Sequence, residues 1–543
     1  MFVSAGVHDG WSTLLGKRSS TPRSHAALKR IPAKTGSRVG GHAFALVGYN
    51  ADGFIVQNSW GARWGAGGFA VLPYADWIEH ATDAWACALG APMVGSEAGA
   101  ARASRYPLPA GLHLGNWALA GAAAGARRAG DDQDPYPRWT AEQARDHALV
   151  SGDDGRLVRT ALGEDLDADP MDEVRRRVVE APAAWFARQP RGPVKLVLHA
   201  HGGLVSEARA IDHARALAPV LAGNDTYPLF LVWKTGPGET LLDLLRSAGL
   251  PVPGSEAAPV EGWFDGVRDR LRDGADLAIE EVARRLGRSV WFEMRENAAR
   301  GTRAGRVLDL LGRALLDLRD RLARSGRQLE IHVVGHSAGS ILLGHLLLHL
   351  VTDPDLSVRR PRIASVSLLA AACSVGFACR TYLVAAQAGA LDLRRLHSWV
   401  LSDANERNDP LPDHRAPLYS RSLLYLVSRA LDDERNMPLL GLERAMRRRY
   451  IAPTATAKVY WASSEIESLQ RWHDAWLGSA AAESAWRQQY VQADDDIVVE
   501  RRGSRVRTAR PSHGGCDEDL DVIEPMLEAI LGRPLRKPIR TLQ

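Results

Sequence analysis

Short apolar runs alternate with longer amphipathic stretches over residues 191–543. The runs "VKLVLHAHGG" (Val194–Gly203), which ends in glycines, "YPLFLVW" (Tyr227–Trp233) and "IHVV" (Ile331–Val334) have the length and composition of buried strands. Between the last two, "RVLDLLGRALLDLRDRLARS" carries apolar residues at helical spacing. Strands separated by helices are typical of a parallel sheet that is covered on both faces. The pattern therefore predicts an α/β domain with a mostly parallel sheet over residues 191–543.

Residues 1–190 follow a different pattern. Residues 1–95 combine short alternating apolar segments with many glycines and tryptophans, which predicts a small α+β unit rich in strands. Residues 96–190 are predicted to be a linker and a small accessory segment, because Ala, Gly, Arg and Asp dominate its first part. Later in this segment, "VSGDDGRLV" predicts a hairpin with Asp-Asp-Gly at its turn.

Composition and charge narrow the function classes. The chain has 543 residues with 68 basic and 64 acidic side chains, a formal net charge of +4. That balance argues against nucleic acid as the main partner. The four cysteines form no CxxC pair, so free thiols in a reducing compartment are expected rather than a zinc site of that kind. We find no signal-peptide pattern and no apolar stretch of the about 20 residues that span a bilayer, so we expect a soluble cytoplasmic protein.

The segment "VVGHSAGS" follows the third apolar run and precedes an apolar helical stretch. Its residues Gly335, Ser337 and Gly339 fit the pattern G-x-S-x-G. Glycines are needed on both sides because the chain turns sharply from strand to helix, and larger side chains would clash there. The turn holds the serine at a strained backbone position that lifts its hydroxyl clear of the sheet. Ser337 is therefore the predicted nucleophile of a serine hydrolase.

Such a nucleophile also needs donors that stabilise the oxyanion formed during attack. The segment "HAHGGL" places Gly203 and Leu204 in a loop at the end of the first apolar run. A main-chain N–H of this loop is one predicted donor. The N–H of Ala338, the residue after the nucleophile, is the other.

Where a G-x-S-x-G serine lies on such a strand-to-helix turn, the acid and the base follow it in the chain, so both are expected after Ser337. The segment "SDANERNDPLPDH" follows the apolar run "LHSWVL" and offers two acids, of which Asp409 is favoured and Asp403 is the alternative. His513 lies in a glycine-containing loop, which suits a base that must reach the serine. His473 also lies late enough in the chain but is predicted to sit in a helix.

With these motifs, the region from about Pro193 to Leu535 resembles the α/β-hydrolase superfamily, in particular its lipases and esterases. The resemblance implies hydrolysis of an ester or related small acyl substrate through an acyl-enzyme, without a metal or organic cofactor. The chain order of serine, acid and histidine also matches this fold. The resemblance further implies that the helical insertion between Lys234 and Arg327 forms a lid or cap over the acyl pocket.

A second resemblance lies near the amino terminus. The segments "GGHAFALVGY" and "NSWG" resemble the carboxy-terminal half of papain-type cysteine peptidases. His42 then falls at the position of the general base, and Asn58 at that of the side chain that orients it. A histidine pairs with a thiolate in this chemistry, and an amide holds the imidazole in the useful tautomer.

The papain-type nucleophile has no counterpart before these motifs. No cysteine precedes Cys87, and Cys87 itself follows Asn58. We therefore expect that this chain alone is not a working peptidase. The favoured explanation for the missing half is that Met1 is a mis-set start. The alternatives are a split or degraded gene and a half-domain kept as a non-catalytic module. Residues 1–95 are expected to be unstable or to depend on the missing peptidase half as a partner, because they would expose surface that it covers.

Three functions remain open from the sequence. The favoured one is a serine hydrolase that carries an incomplete papain-like unit. The second is a papain-family cysteine-type peptidase whose amino-terminal half is missing from this chain. The third is a non-catalytic scaffold built on two decayed enzyme folds, which predicts that Ser337 and His513 lie beyond hydrogen-bonding distance of each other.

Overall fold

The computed structural model divides the chain into two units, Met1–Arg128 and Ala129–Gln543. The structure describes residues 2–16, 27–33, 38–58, 60–61, 63–85, 134–159, 169–203, 206–233, 276–285, 287–411, 417–451, 460–492, 497–502 and 505–543. Most of the predicted linker and much of the predicted insertion therefore lie outside the described residues.

The first unit contains a five-stranded antiparallel sheet. Its strands are β1 (Phe2–His8), β2 (Arg38–Tyr49), β3 (Gly53–Gln57), β4 (Phe69–Pro73) and β5 (Ala81–Trp85), in the order β4-β3-β2-β1-β5. Short helices span Asp9–Ser12 and Tyr74–His80. On β1, Val3, Ala5 and Val7 are all buried, as expected when alternate side chains of a strand point to one face. This part of the chain is rich in strands, as the sequence predicts.

The second unit is built on an eight-stranded sheet. Its strands are β6 (Ala148–Ser151), β7 (Leu157–Val158), β8 (Val194–Ala200), β9 (Thr226–Trp233), β10 (Leu329–His336), β11 (Ile363–Leu369), β12 (Leu396–Leu401) and β13 (Val491–Gln492). They lie in the order β13-β12-β11-β10-β8-β9-β6-β7. Every neighbouring pair is parallel except β6 and β7, which form an antiparallel hairpin at the edge. The predicted α/β class with a mostly parallel sheet is confirmed.

Helices cover the sheet because their apolar stripes need a surface to pack on. In the helix Val307–Arg324, the leucines at 308, 311, 315, 318 and 322 are buried, at spacings of three and four residues. The other helices span Ala141–Asp146, Pro170–Arg175, Ala181–Ala187, Glu207–Gly223, Arg288–Arg300, Gly339–Thr352, Pro354–Arg359, Val375–Arg380, Tyr382–Gln387, Asp403–Arg407, Leu423–Leu426, Ile466–Trp476, Ala480–Tyr490 and Leu520–Leu531. Residues 276–285 are helical as well, so the described part of the predicted insertion is helical.

Two smaller features complete the second unit. A separate hairpin pairs β14 (Ile497–Arg502) with β15 (Arg505–Ala509), and the short 3-10 helix His513–Gly515 follows it. The central strand β10 is buried from Ile331 to His336. Among the helices that the structure describes, none is long and apolar enough to cross a membrane.

Candidate active site

Ser337 stands at a sharp turn between β10 and the helix Gly339–Thr352. Its φ angle is 49°, in the left-handed region that residues other than glycine rarely adopt. The turn is held from β11, because the Ser337 N–H donates to the Leu369 carbonyl over 2.8 Å. A Cβ at Gly339 would overlap the carbonyl oxygen of Ala200, and one at Gly335 would lie 2.8 Å from Leu343 Cδ1. Close packing therefore explains both glycines of the motif.

His513 lies against this serine. Its Nε2 is 2.9 Å from Ser337 Oγ, although the two residues are 176 positions apart. Both residues are buried, with 3% of Ser337 and 4% of His513 exposed. Burial, with a smaller effect from the positive charge of His336, lowers the pKa of His513 to about 3. The imidazole is therefore neutral at pH 7 and can accept the hydroxyl proton.

The Asp409 side chain contacts the main chain of His513. Its Oδ2 accepts a hydrogen bond of 2.7 Å from the His513 N–H. The ring Nδ1 of His513 is buried and has no hydrogen-bond partner among the described residues. Burial raises the pKa of Asp409 to about 6, although the hydrogen bond from His513 opposes that rise. The favoured acid is thus next to the base, but it contacts the backbone rather than the imidazole.

Asp403, the alternative acid, has other partners. Its two oxygens accept hydrogen bonds from the Tyr425 hydroxyl over 2.5 Å and from Arg444 over 2.6 Å. Burial favours the neutral acid, but the hydrogen bonds from Arg444 and Tyr425 outweigh it, and the pKa of Asp403 is lowered. These contacts link the helix Asp403–Arg407 to two later segments of the chain.

The loop after β8 passes directly over the turn. A Cβ at Gly202 would lie 3.3 Å from Ser337 Cβ, and one at Gly203 would lie 2.6 Å from Ala338 Cβ. The contact at Gly203 leaves no room for a side chain, and the one at Gly202 is tight. The loop after β8 therefore packs directly against Ser337 and Ala338, whereas Leu204 lies outside the described residues.

His201 anchors this loop to β9, a role that sequence reasoning missed. Its Nε2 accepts the Trp233 main-chain N–H over 3.1 Å, and its carbonyl accepts the Trp233 indole N–H over 3.1 Å. Since Nε2 accepts, Nδ1 carries the proton and donates to the Gly202 carbonyl over 2.7 Å. Burial lowers the pKa of His201 to about 4, which keeps the ring neutral.

The papain-like motifs also come together in the first unit. His42 Nε2 lies 2.8 Å from Asn58 Oδ1, so the imidazole can donate to the amide oxygen. The Trp60 ring lies 4.8 Å from the His42 ring, and Asn58 is buried. His42 shares its face of β2 with Phe44 and Leu46, because side chains alternate along a strand. Cys87 lies outside the described residues.

Comparison with known proteins gives one partial similarity. A stretch of 62 residues, 11% of this chain, is 39% identical to an uncharacterized peptidase C1-like protein of Acanthamoeba polyphaga mimivirus. The chain covers 20% of that protein. The similarity supports a papain-like peptidase segment in this chain. No family model and no solved structure matches the chain.

Two clusters of side chains have the spacing of metal ligands within the described residues. The first cluster consists of His8, Asp76 and His80. His8 Nδ1 accepts the Gly10 N–H, so His8 Nε2 carries the proton and donates to Asp76 over 2.8 Å. In the cluster Asp309, His349 and Asp353, the Arg313 guanidinium lies 2.9 Å from Asp309 and 3.5 Å from Asp353. Hydrogen bonds and ion pairs account for both clusters without a metal.

Proposed function

We propose that the second unit is a serine hydrolase that cleaves esters or related small acyl compounds through an acyl-enzyme. One observation supports this most strongly. The hydroxyl of Ser337, at a turn with a positive φ angle, lies 2.9 Å from the Nε2 of a neutral histidine. A serine becomes nucleophilic when a positioned base removes its proton. This arrangement argues against the non-catalytic scaffold, which predicts no such contact.

The proposed reaction follows from these atoms. Ser337 Oγ attacks the acyl carbon while its proton passes to Nε2 of His513. The main-chain N–H groups at Gly203 and Ala338 stabilise the oxyanion, and Leu204 is a further candidate for this role. The imidazolium then protonates the leaving group as its bond to the acyl carbon breaks. Water, deprotonated by His513, attacks the acyl-enzyme. The imidazolium then returns the proton to Ser337 Oγ as the ester bond breaks, which releases the acid and the free serine.

The position of the residues in the sheet supports an α/β-hydrolase fold for this unit. Gly203 follows β8, Ser337 follows β10 and Asp409 follows β12, so all three lie beyond the carboxyl ends of parallel strands. Ligands of open α/β sheets bind at that edge. His513 reaches the same edge from the last part of the chain. No metal or organic cofactor is required by this reaction.

Labelling with a fluorophosphonate tests the proposal, since this probe modifies a serine only when a base activates it. We expect wild-type protein to be labelled, and Ser337→Ala and His513→Gln to lose labelling while they keep the wild-type melting temperature. Ser365→Ala is the matched control, because Ser365 is a buried serine on β11 that contacts His332. Folded wild-type protein that is not labelled would favour the scaffold.

The first unit supports a second candidate function, a papain-family peptidase activity that is incomplete in this chain. The His42–Asn58 hydrogen bond of 2.8 Å is the pairing that a cysteine peptidase uses to orient its base. The printed name of the mimivirus relative is in line with this chemistry. Papain-type peptidases carry their thiol before the histidine in the chain, and no cysteine precedes His42 here.

Two observations test this second candidate. Translation of the DNA upstream of Met1 should reveal a glutamine followed by a Cys-Trp segment. The chain of 543 residues should not react at an active-site thiol with an epoxide probe for cysteine peptidases, whereas a chain extended by that segment should. An extended chain that stays unlabelled would rule out the peptidase reading.

A further inference from the structure

The base of the proposed hydrolase is held at three points. His513 Nε2 contacts Ser337, and its main-chain N–H donates to Asp409. Its carbonyl oxygen accepts a third hydrogen bond of 3.1 Å, from Nε2 of His336. His336 immediately precedes Ser337 in the chain. This hydrogen bond therefore links the loop that carries the base to the turn that carries the nucleophile.

His336 is itself held by a carboxylate. Its Nδ1 lies 3.2 Å from Asp517 Oδ2, and Asp517 follows His513 by four residues. Nε2 of His336 faces a carbonyl and Nδ1 faces a carboxylate, and neither of these oxygens can donate. Nε2 therefore carries a proton. Nδ1 is not aligned for a hydrogen bond, but its closeness to the Asp517 carboxylate favours a proton on this nitrogen as well, which makes the contact an ion pair.

Several titratable groups surround this pair. They are Glu518 and His513 from the base loop, His199 from β8, His201 from the loop after β8, and His213 from the helix Glu207–Gly223. Burial, helped by the charges nearby, lowers the pKa of His199 and of His201. Burial also disfavours charge on His336, but Asp517 outweighs it and the pKa of His336 is raised. His213 Nδ1 is farther from Asp517, at 4.0 Å.

We propose that His336 and Asp517 form a second histidine–aspartate pair that positions His513 for Ser337 through the main chain. The pair joins the turn that carries the nucleophile to the loop that carries the base, so it sets the distance between Oγ and Nε2. Asp517 and His336 are positioning residues, since neither touches the reacting atoms. This inference rests on the proposed serine hydrolase function.

The pair also affects the basicity of His513. The two imidazole rings have centroids 5.6 Å apart and an interplanar angle of 33°. A positive charge at this distance disfavours a second positive charge on His513. Loss of the charge on His336 should therefore raise the pH at which the base becomes protonated. A purely structural role for the pair would not move that pH.

The test compares the rate of fluorophosphonate labelling across pH 5 to 9 for wild-type protein, Asp517→Asn and His336→Gln. We expect both variants to lose at least about tenfold in the rate at high pH, because small displacements of reacting groups are costly. In His336→Gln, which removes the positive charge and keeps Asp517, we also expect labelling to fall off at a higher pH than in wild type. The double variant should be no slower than the slower single variant, since the two residues act as one unit.

Two control variants match these changes. His332→Gln replaces another buried histidine on β10, and Asp519→Asn replaces the cap of the helix Leu520–Leu531, two residues after Asp517. Both should keep the wild-type rate and pH profile, even if the melting temperature falls. Asp517→Glu should restore part of the rate that Asp517→Asn loses, because it restores the charge.

The outcomes separate this inference from the proposed function. Wild-type protein that is not labelled at Ser337 would contradict the hydrolase itself. A labelled wild type together with a folded Asp517→Asn or His336→Gln that keeps the wild-type rate and pH profile would overturn the positioning role. If Asp517→Asn does not fold, His336→Gln decides, because glutamine can still donate to the His513 carbonyl without a charge.

Discussion

The carboxylate of Asp409 contacts the main-chain N–H of His513, at 2.7 Å, and not its imidazole. In a serine–histidine–aspartate triad the acid holds the ring through Nδ1 and stabilises the imidazolium. Here Nδ1 has no hydrogen-bond partner within the described parts of the chain. Asp409 therefore fixes where the base loop lies, and the orientation of the ring depends on packing and on Ser337.

This contact predicts a mild effect for Asp409→Asn. The amide oxygen of asparagine can still accept the His513 N–H, so we expect at most about a tenfold loss in the labelling rate of Ser337. When the aspartate that orients the histidine ring of a triad is replaced by asparagine, turnover of the enzyme falls by about 10⁴-fold. Asp409→Ala should be slower than Asp409→Asn, because it leaves the buried N–H without an acceptor.

Asp403→Asn is the companion variant for this measurement. Asp403 contacts Tyr425 and Arg444, so its loss should lower the melting temperature and leave the labelling rate of the folded protein unchanged. If Asp409→Asn is instead as slow as Ser337→Ala, the carboxylate must contact the imidazole in the reacting state. That result would restore Asp409 to the usual role of a triad acid.

The pH dependence of labelling should reflect the buried base. Because burial lowers the pKa of His513 to about 3, the ring stays neutral well below the ordinary histidine value of 6.5. A base acts in its unprotonated form, which exists above its pKa. We expect the labelling rate at pH 5.5 to remain within about twofold of the rate at pH 7.5. Circular dichroism at both pH values serves as the control for folding, and a midpoint near 6.5 would contradict the environment described for His513.

Much of the sheet could be predicted from the chain, because buried parallel strands are continuous apolar runs. The strand Val194–Ala200 lies within the predicted run Val194–Gly203, and the strand Leu329–His336 contains the predicted run Ile331–Val334. The hairpin of β6 and β7 forms around the Asp-Asp-Gly turn. In contrast, β13 has only two residues, Val491 and Gln492, and carries no periodic signal. Its pairing with β12 depends on tertiary packing.

The contacts of the candidate site could be predicted only in part. The pattern around Ser337 specifies a sharp turn, and a glycine-containing loop suits a base such as His513. The sequence says nothing about which atom of His513 meets Asp409, because the two residues are 104 positions apart and the loop between them sets the geometry. Likewise, His336 and Asp517 give no local signal of their pairing, although each lies within four residues of a predicted catalytic residue.

The second glycine of the nucleophile motif, Gly339, should not tolerate a side chain. In Gly339→Ala the added Cβ would overlap the main-chain carbonyl oxygen of Ala200, which cannot move without shifting β8. We expect a loss of about 1–3 kcal/mol in the free energy of unfolding, measured by urea denaturation. Gly514→Ala is the control, since nothing lies within 4 Å of its added Cβ. Equal stability of the two variants would show that the turn packs less tightly against β8.

Trp64 should be essential for the first unit. Its side chain is fully buried, stacks on Trp11 with ring centroids 5.6 Å apart, and donates its indole N–H to the Trp11 carbonyl over 2.8 Å. Trp64→Ala should cost about 3–5 kcal/mol, much of the stability of a small unit. Limited proteolysis of the whole chain should then cleave the first 85 residues at least about tenfold faster, since proteolysis follows the open population. Tyr49→Ala, at a side chain that is 77% exposed, should leave the rate unchanged. If Trp64→Ala resists proteolysis as well as wild type does, this tryptophan pair does not hold the sheet together.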